Sequence, residues 1–284
     1  MKYILKGSFS SLLLLLLVYT HAQEVATKRT GTPNESVLNN GTRSTSNNTM
    51  QGAYAMLMQI VNNGNRDSML NVQQFKIYTD RHFMYAHALP GDSAAYYGVG
   101  TYRMENGNLM EYPFYTSANG AQEDTFDIKI TKLGNGFVQV INFPPDSLGR
   151  KSVLTEEYGD VSNAVTSPLD GAWKQTKNTF IPKQGAPVTN TNPTQYKLFQ
   201  SGRFIWASTV PDANTKEPVS TFGYGTFEMN GNNKFQERTT NSTFRTALIG
   251  KPILVQLKFM GADAYQQTID WPTGKSIETY QRLK

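Results

Sequence analysis

"GVGTYRMENGNLMEY" runs from Gly98 to Tyr112, and "GYGTFEMNGNNKFQE" runs from Gly223 to Glu237. Both place two glycines, a threonine, an aromatic residue and a methionine in the same order, then turn at Asn-Gly. The likeness extends on either side of these stretches. Gly52-Ala53-Tyr54 answers to Gly171-Ala172-Trp173, Gln74-Phe75-Lys76 to Gln195-Tyr196-Lys197, and Phe83-Met84-Tyr85-Ala86 to Phe204-Ile205-Trp206-Ala207. Glu156-x-Tyr158 answers to Glu278-x-Tyr280. Collinear matches at an offset that drifts between 119 and 125 residues identify an internal duplication with loop insertions. The units are expected over 50–161 and 169–284, joined by a linker over 162–168 in which Pro168 interrupts any strand.

Within each unit apolar and polar residues alternate, and Gly, Asn, Asp and Pro recur about every 8–12 residues, which is the signature of short strands and turns. Eight strands are predicted in the first copy, at 51–60, 73–80, 82–89, 96–105, 108–117, 124–132, 136–143 and 150–159. The second copy gives 171–180, 194–201, 203–210, 219–229, 233–242, 251–260, 263–271 and 275–283. Junctions such as Asn106-Gly107, Asn230-Gly231 and Gly134-Asn135-Gly136 are too short for anything but hairpins. Successive hairpins make a meander, and a meander that closes removes its exposed edges. The expected fold is therefore all-β, with two tandem eight-stranded up-and-down barrels.

Residues two apart on a strand share a face. Gly98, Gly100, Tyr102 and Met104 are thus assigned to the interior of the first barrel, and Gly223, Gly225, Phe227 and Met229 to that of the second. The glycines suit a strand that bends to close a small barrel, where a side chain would collide across the lumen. Phe83 and Tyr85 share one face of their strand, as do Phe204 and Trp206. Eight strands leave an interior either filled by side chains or just able to hold one small molecule. Phe83, Tyr85, Tyr102, Met104, Phe204, Trp206, Phe227 and Met229 are accordingly the candidate ligand-binding residues, and plain core packing is their other reading.

An opening Gly-x-Trp (Gly171 to Trp173), eight meandering strands and Arg282 on the last one resemble the lipocalin-like, or calycin, superfamily. The resemblance implies that Trp173 stacks against Arg282 at a closed end of the barrel, a cation–π contact. The first copy departs from it, because Tyr54 stands for the Trp and Asp160 for the Arg. Both copies are shorter than a typical lipocalin, and are similar to the compact lipocalin-like domains of uncharacterised secreted bacterial proteins. The resemblance implies binding of a small, largely apolar ligand.

The chain opens with Lys2 and Lys6, an apolar run from Leu12 to Val18 and Thr20-His21-Ala22, the order of a cleavable secretory signal over 1–22. That run is far shorter than the roughly 20 residues of a membrane-spanning helix, so no transmembrane segment is expected after cleavage. Residues 23–49 are rich in Ser, Thr and Asn and poor in large apolar side chains, and are expected to be a disordered tether. Export to the periplasm or the outside follows. Without the leader, 25 basic residues face 22 acidic ones. A surface so balanced argues against nucleic acid as a partner. The chain has no cysteine, which excludes disulfides and a lipidated cysteine.

No cofactor motif is present, and no cofactor or metal is expected. His82 and His87 fall on opposite faces of one strand and do not chelate one ion. The absence of G-x-S-x-G and of cysteine leaves nucleophilic triads unsupported. Glu111, Glu237, Glu156 and Glu278 recur in both copies and read as ion pairs or hydrogen bonds at the barrel wall rather than as acid/base pairs. The expectation is a non-catalytic exported binder of a small apolar ligand. Two alternatives stay open: an envelope or extracellular module with filled barrels that binds protein or glycan by its outer surface, and, more remotely, a carboxylate-dependent glycoside hydrolase.

Overall fold

Alternating side chains joined by two- and three-residue turns can hide their apolar face only if the sheet curls onto itself, and both copies do so. The computed structural model describes residues 49–64, 66–88 and 95–284. The expected signal and all but the last residue of the expected tether lie outside the described residues. The first copy comprises β1 (Gly52–Asn62), β2 (Asp67–Leu70), β3 (Phe75–Tyr78), β4 (His82–Ala88), β5 (Ala95–Glu105), β6 (Asn108–Thr116), β7 (Gly120–Ala121), β8 (Phe126–Leu133), β9 (Gly136–Asn142) and β10 (Val153–Asp160). The second comprises β11 (Gly171–Pro182), β12 (Val188–Asn190), β13 (Thr194–Gln200), β14 (Arg203–Pro211), β15 (Pro218–Met229), β16 (Lys234–Ser242), β17 (Pro252–Phe259), β18 (Ala264–Trp271) and β19 (Gly274–Arg282).

Each copy is a closed antiparallel barrel of eight strands. In the first, β10 returns to pair with β1, and β2 and β7 are short additions on β1 and β6. In the second, β19 returns to β11, with β12 added on β11. The eight wall strands of each copy begin and end within a few residues of those read from the sequence. The three short additions were not foreseen, since two to four residues carry no alternation to read. One turn of 3₁₀ helix, Thr246–Leu248, lies beside β16, and no helix among the described residues is long and apolar enough to cross a membrane.

The paired glycines have a different cause from the one expected. A Cβ on Gly98 would strike the Tyr85 ring, and one on Gly223 the Trp206 indole, so both glycines make room for an aromatic ring of the adjacent strand. Gly100 and Gly225 sit at β-bulges, where a Cβ would meet the carbonyl oxygens of Tyr112 and Arg238 on the next strand. The close approach is thus along the wall, strand to strand, rather than across the lumen.

Each barrel has a packed closed end. In the second, the Arg282 guanidinium carbon lies 4.0 Å from the centre of the buried Trp173 ring. Arg282 also donates to the carbonyls of Asp170 (2.8 Å) and Pro168 (3.1 Å), while Trp173 Nε1 donates to Leu169 O (2.7 Å). In the first, Tyr54 and Asp160 pair across the same register, and the Tyr54 hydroxyl donates to Met50 O at 3.1 Å.

The outward faces of β3, β4 and β5 are also apolar, and they pack against those of β13, β14 and β15. The resulting cluster draws Ala53, Phe75, Ile77, Met84, Ala86, Tyr97 and Val99 from one copy and their counterparts Ala172, Tyr196, Leu198, Ile205, Ala207, Phe222 and Tyr224 from the other. Phe75 stacks on Tyr224 with ring centres 4.5 Å apart, and the Tyr97 and Thr209 hydroxyls are hydrogen-bonded at 2.9 Å. The same surface of each copy meets the other, the arrangement of an isologous dimer interface carried within one chain.

Candidate functional site

Because β3 and β13 are buried on both faces, the inward face of each can carry a charged residue without exposing it. Lys76 and Lys197 point into the two lumens, and each keeps only 2% of its surface exposed. A buried ammonium is tolerable only when paired. Lys76 Nζ lies 2.9 Å from Glu111 Oε1 and 3.4 Å from Gln139 Oε1. Lys197 Nζ repeats this with Glu237 Oε1 at 2.5 Å and Gln267 Oε1 at 3.4 Å.

The chain of bonds continues around each wall. Gln139 Nε2 donates to Glu156 Oε2 at 2.5 Å, and the Tyr158 hydroxyl donates to the same oxygen at 2.9 Å. In the second barrel Gln267 Nε2 donates to Glu278 Oε2 at 2.8 Å, and Tyr280 to that oxygen at 2.6 Å. Gln74 donates to the Tyr158 hydroxyl, and Gln195 to Tyr280 at 2.6 Å. Lysine, two glutamates, two glutamines and a tyrosine thus form one polar layer, written twice, fully buried in the first barrel and half-buried at Gln195 and Glu278 in the second. Burial raises the pKa of Glu156 and of Glu278, and the lysine of each layer pulls the other way. Burial likewise holds the Tyr158 and Tyr280 hydroxyls well above their ordinary value.

Above each layer the lumen is open. The first barrel holds a cavity of about 230 Å³ and the second one of about 400 Å³. The difference follows from three paired positions that line both. In the first barrel Phe83, Tyr85, His87 and Tyr96 stack in succession, ring on ring. The second has Phe204 and Trp206 but then Ser208 and Thr221, so its ladder stops after two rings. Gln59 and Asn178 are the third pair, each directly across the wall from the layer's second glutamate. Gln59 Nε2 reaches Glu156 Oε1 at 2.6 Å. Asn178, one methylene shorter, leaves its Oδ1 buried without a hydrogen-bond partner among the described residues. At the mouth of the second cavity the Arg245 guanidinium stacks on Trp271, 4.0 Å from the ring centre.

Of the residues singled out from sequence, Phe83 and Tyr85 line the first cavity and Trp206 the second. Tyr102 and Met104 pack into the first barrel's core towards its closed end, and Phe204, Phe227 and Met229 belong to the core of the second. His87 lines the first cavity, and burial lowers its pKa to about 4. His82 faces Phe114 instead, with ring centres 6.5 Å apart. Sequence reasoning missed the lysines and glutamines of the polar layer. Their signal was the repeated Gln-x-Lys of Gln74 to Lys76 and Gln195 to Lys197.

No protein-family model matches the chain, and neither does any curated protein. Among solved structures it is similar to a protein of unknown function from the DUF3598 family of Nostoc punctiforme PCC 73102, at 10% identity over 82% of this chain and 96% of that one, with a TM-score of 0.26. It is also similar to a protein of Bacteroides fragilis NCTC 9343 provisionally described as an outer membrane protein, at 10% identity over 82% of this chain and 98% of that one, with a TM-score of 0.25.

Proposed function

We propose that the protein is an exported, non-catalytic binder of small molecules, each held in a barrel lumen with a polar head on the buried layer and an apolar body against the aromatic wall. The observation that carries this reading is the recurrence, in both copies, of an open lumen above the same buried polar layer. A layer needed only for packing would be replaced by apolar side chains at little cost, since a buried ion pair is weak support for stability. The two cavities lie at and just below the lower end of the usual range for small-molecule sites, about 300–1,000 Å³. This calls for a compact ligand, more amphipathic than the largely apolar one implied by the lipocalin-like resemblance. Catalysis is disfavoured because Glu111, Glu237 and Glu156 are committed to lysine, glutamine and tyrosine partners, which leaves Glu278 without a second free carboxylate to work with.

Native mass spectrometry of protein purified from its own source tests the reading. The expected result is a non-peptide passenger that leaves on denaturation. Repeated preparations without a passenger, together with a crystal structure whose lumens are filled by side chains, would overturn it and favour an outer-surface interaction module.

A further inference from the structure

The two polar layers differ at one oxygen. In the first barrel both carboxylate oxygens of Glu156 accept hydrogen bonds, Oε1 from Gln59 and Oε2 from Gln139 and Tyr158. In the second, the donors that reach Glu278 are Gln267, Gln175 and Tyr280, and all three end on Oε2. The residue placed to serve Oε1 is Asn178, and it is too short. Its own Oδ1 is an acceptor with no donor. Glu278, its Oε1 unanswered by any donor of the described residues, therefore lines the 400 Å³ cavity, while Asn178 Oδ1 lies occluded on the adjacent strand.

Charge points the same way. The layer holds one lysine against two glutamates, and Lys197 is spent on Glu237. Glu278 takes its hydrogen bonds from neutral amides and a hydroxyl, and Lys197 acts on it only through space. The cavity wall beside it offers the indole of Trp206 and the ring of Phe180, faces that attract a cation.

On the premise that the lumens bind small molecules, we propose that the second barrel selects a compact primary amine, its ammonium group donating to Glu278 Oε1, which Asn178 is too short to reach, and its apolar body lying against Trp206, Phe180 and Trp271. An ammonium carries hydrogen-bond donors and one positive charge, which matches an unanswered carboxylate oxygen that has no ion-pair partner of its own among the described residues. A carboxylate ligand would meet Glu278 as a like charge. An alcohol would answer the same oxygen but bring no charge to the carboxylate. The first barrel lacks this vacancy, because Gln59 fills it.

Tryptophan fluorescence reads the site directly, since Trp206 and Trp271 line the cavity. The mature chain is titrated with three probes of one shape, 2-phenylethylamine, 2-phenylethanol and 3-phenylpropionate. The amine is expected to bind at least tenfold more tightly than the alcohol, and the carboxylate more weakly than either. Glu278→Gln is expected to remove that tenfold preference. Asn178→Gln, which copies Gln59, is expected to abolish amine binding with the melting temperature held or raised, and it decides the matter if Glu278→Gln fails to fold. Equal binding of amine and alcohol, or preference for the carboxylate, overturns the amine assignment and leaves lumen binding standing. If no probe binds, the assignment also falls. A co-purified passenger without a basic nitrogen then preserves the broader reading, and the absence of any passenger removes both.

Discussion

The two barrels carry one polar layer and finish it differently. In the first, Tyr78 adds a hydroxyl that donates to Glu111, Gln59 closes on Glu156, and a ladder of four rings narrows the lumen. In the second, Phe199 stands for Tyr78, Asn178 for Gln59, and Ser208 and Thr221 for the last two rings. Each of these changes removes a partner from the layer or a ring from the lumen, whereas Gln175, at the register of Met56, gives Glu278 a donor that the first layer lacks. Duplication has thus kept the costly buried charges in both copies while leaving them better satisfied in one. Satisfied buried networks rigidify a core and half-satisfied ones do not, so the first barrel has the traits of a settled core and the second those of a receptive one.

The largest effect should come from the closed ends. Trp173→Ala removes a fully buried indole and leaves Arg282 without its stacking face, and should cost about 3–5 kcal/mol in chemical denaturation. Tyr54→Ala, with Asp160 in place of the arginine, should cost about 1 kcal/mol less, for want of the cation–π contact. A loss under about 1 kcal/mol at Trp173 would mean that the ring does not anchor the barrel.

The lysines come next. Lys197→Met leaves Glu237 buried and unpaired, which should cost about 3–4 kcal/mol. Lys76→Met should cost about 1–2 kcal/mol less, because Tyr78 still donates to Glu111. Equal losses in thermal or denaturant melts would show that the hydroxyl does not compensate the carboxylate.

His87 distinguishes the barrels by pH. Burial lowers its pKa to about 4 from 6.5, so the folded ring stays neutral where the unfolded one protonates. Its contribution is therefore fully present above about pH 6.5 and is lost as pH falls towards 4. Up to about 3 kcal/mol is at stake, at 1.36 kcal/mol per unit. Glu156 and Glu278, whose pKa values are raised, act in the opposite sense and favour the fold as pH falls. His87→Ser, which copies Ser208, should reduce the loss of stability between pH 6.5 and 4. An unchanged pH profile of denaturation would show that the ring does not titrate on unfolding.

How far such positions can be read in advance depends on which faces of a strand are buried. Where one face meets solvent, as along Thr101, Arg103 and Glu105, alternation fixes the phase, and Tyr102 and Met104 were placed inside from sequence. The duplicated Gly-x-Gly, the hairpin turns and barrel closure were legible on the same grounds. β3 and β13 gave no such signal. Phe75-Lys76-Ile77-Tyr78 is buried on both faces, one by the lumen and one by the other barrel, so no alternation marks the inward side. Lys76 was therefore invisible as a lumen residue, and the apolar cluster between the barrels went unseen. Glu111 and Glu156 were read as paired at the wall, but their lysine and glutamine partners lie on strands far away in sequence.

The smallest test transplants one hydroxyl. Phe199→Tyr places on β13 the group that Tyr78 carries on β3, at the same register opposite the first residues of the following strand. If the barrels differ by how completely their layers are satisfied, the new hydroxyl donates to Glu237 as Tyr78 does to Glu111, and the second barrel gains about 1 kcal/mol. If the site is merely apolar, a hydroxyl packed against Phe227 and Phe235 has no partner and costs about 1–3 kcal/mol instead. The sign of the change in denaturation midpoint separates the two. A background of Lys197→Met sharpens it, because there the carboxylate has most to gain from a donor, and the same substitution should recover a larger share of the lost stability.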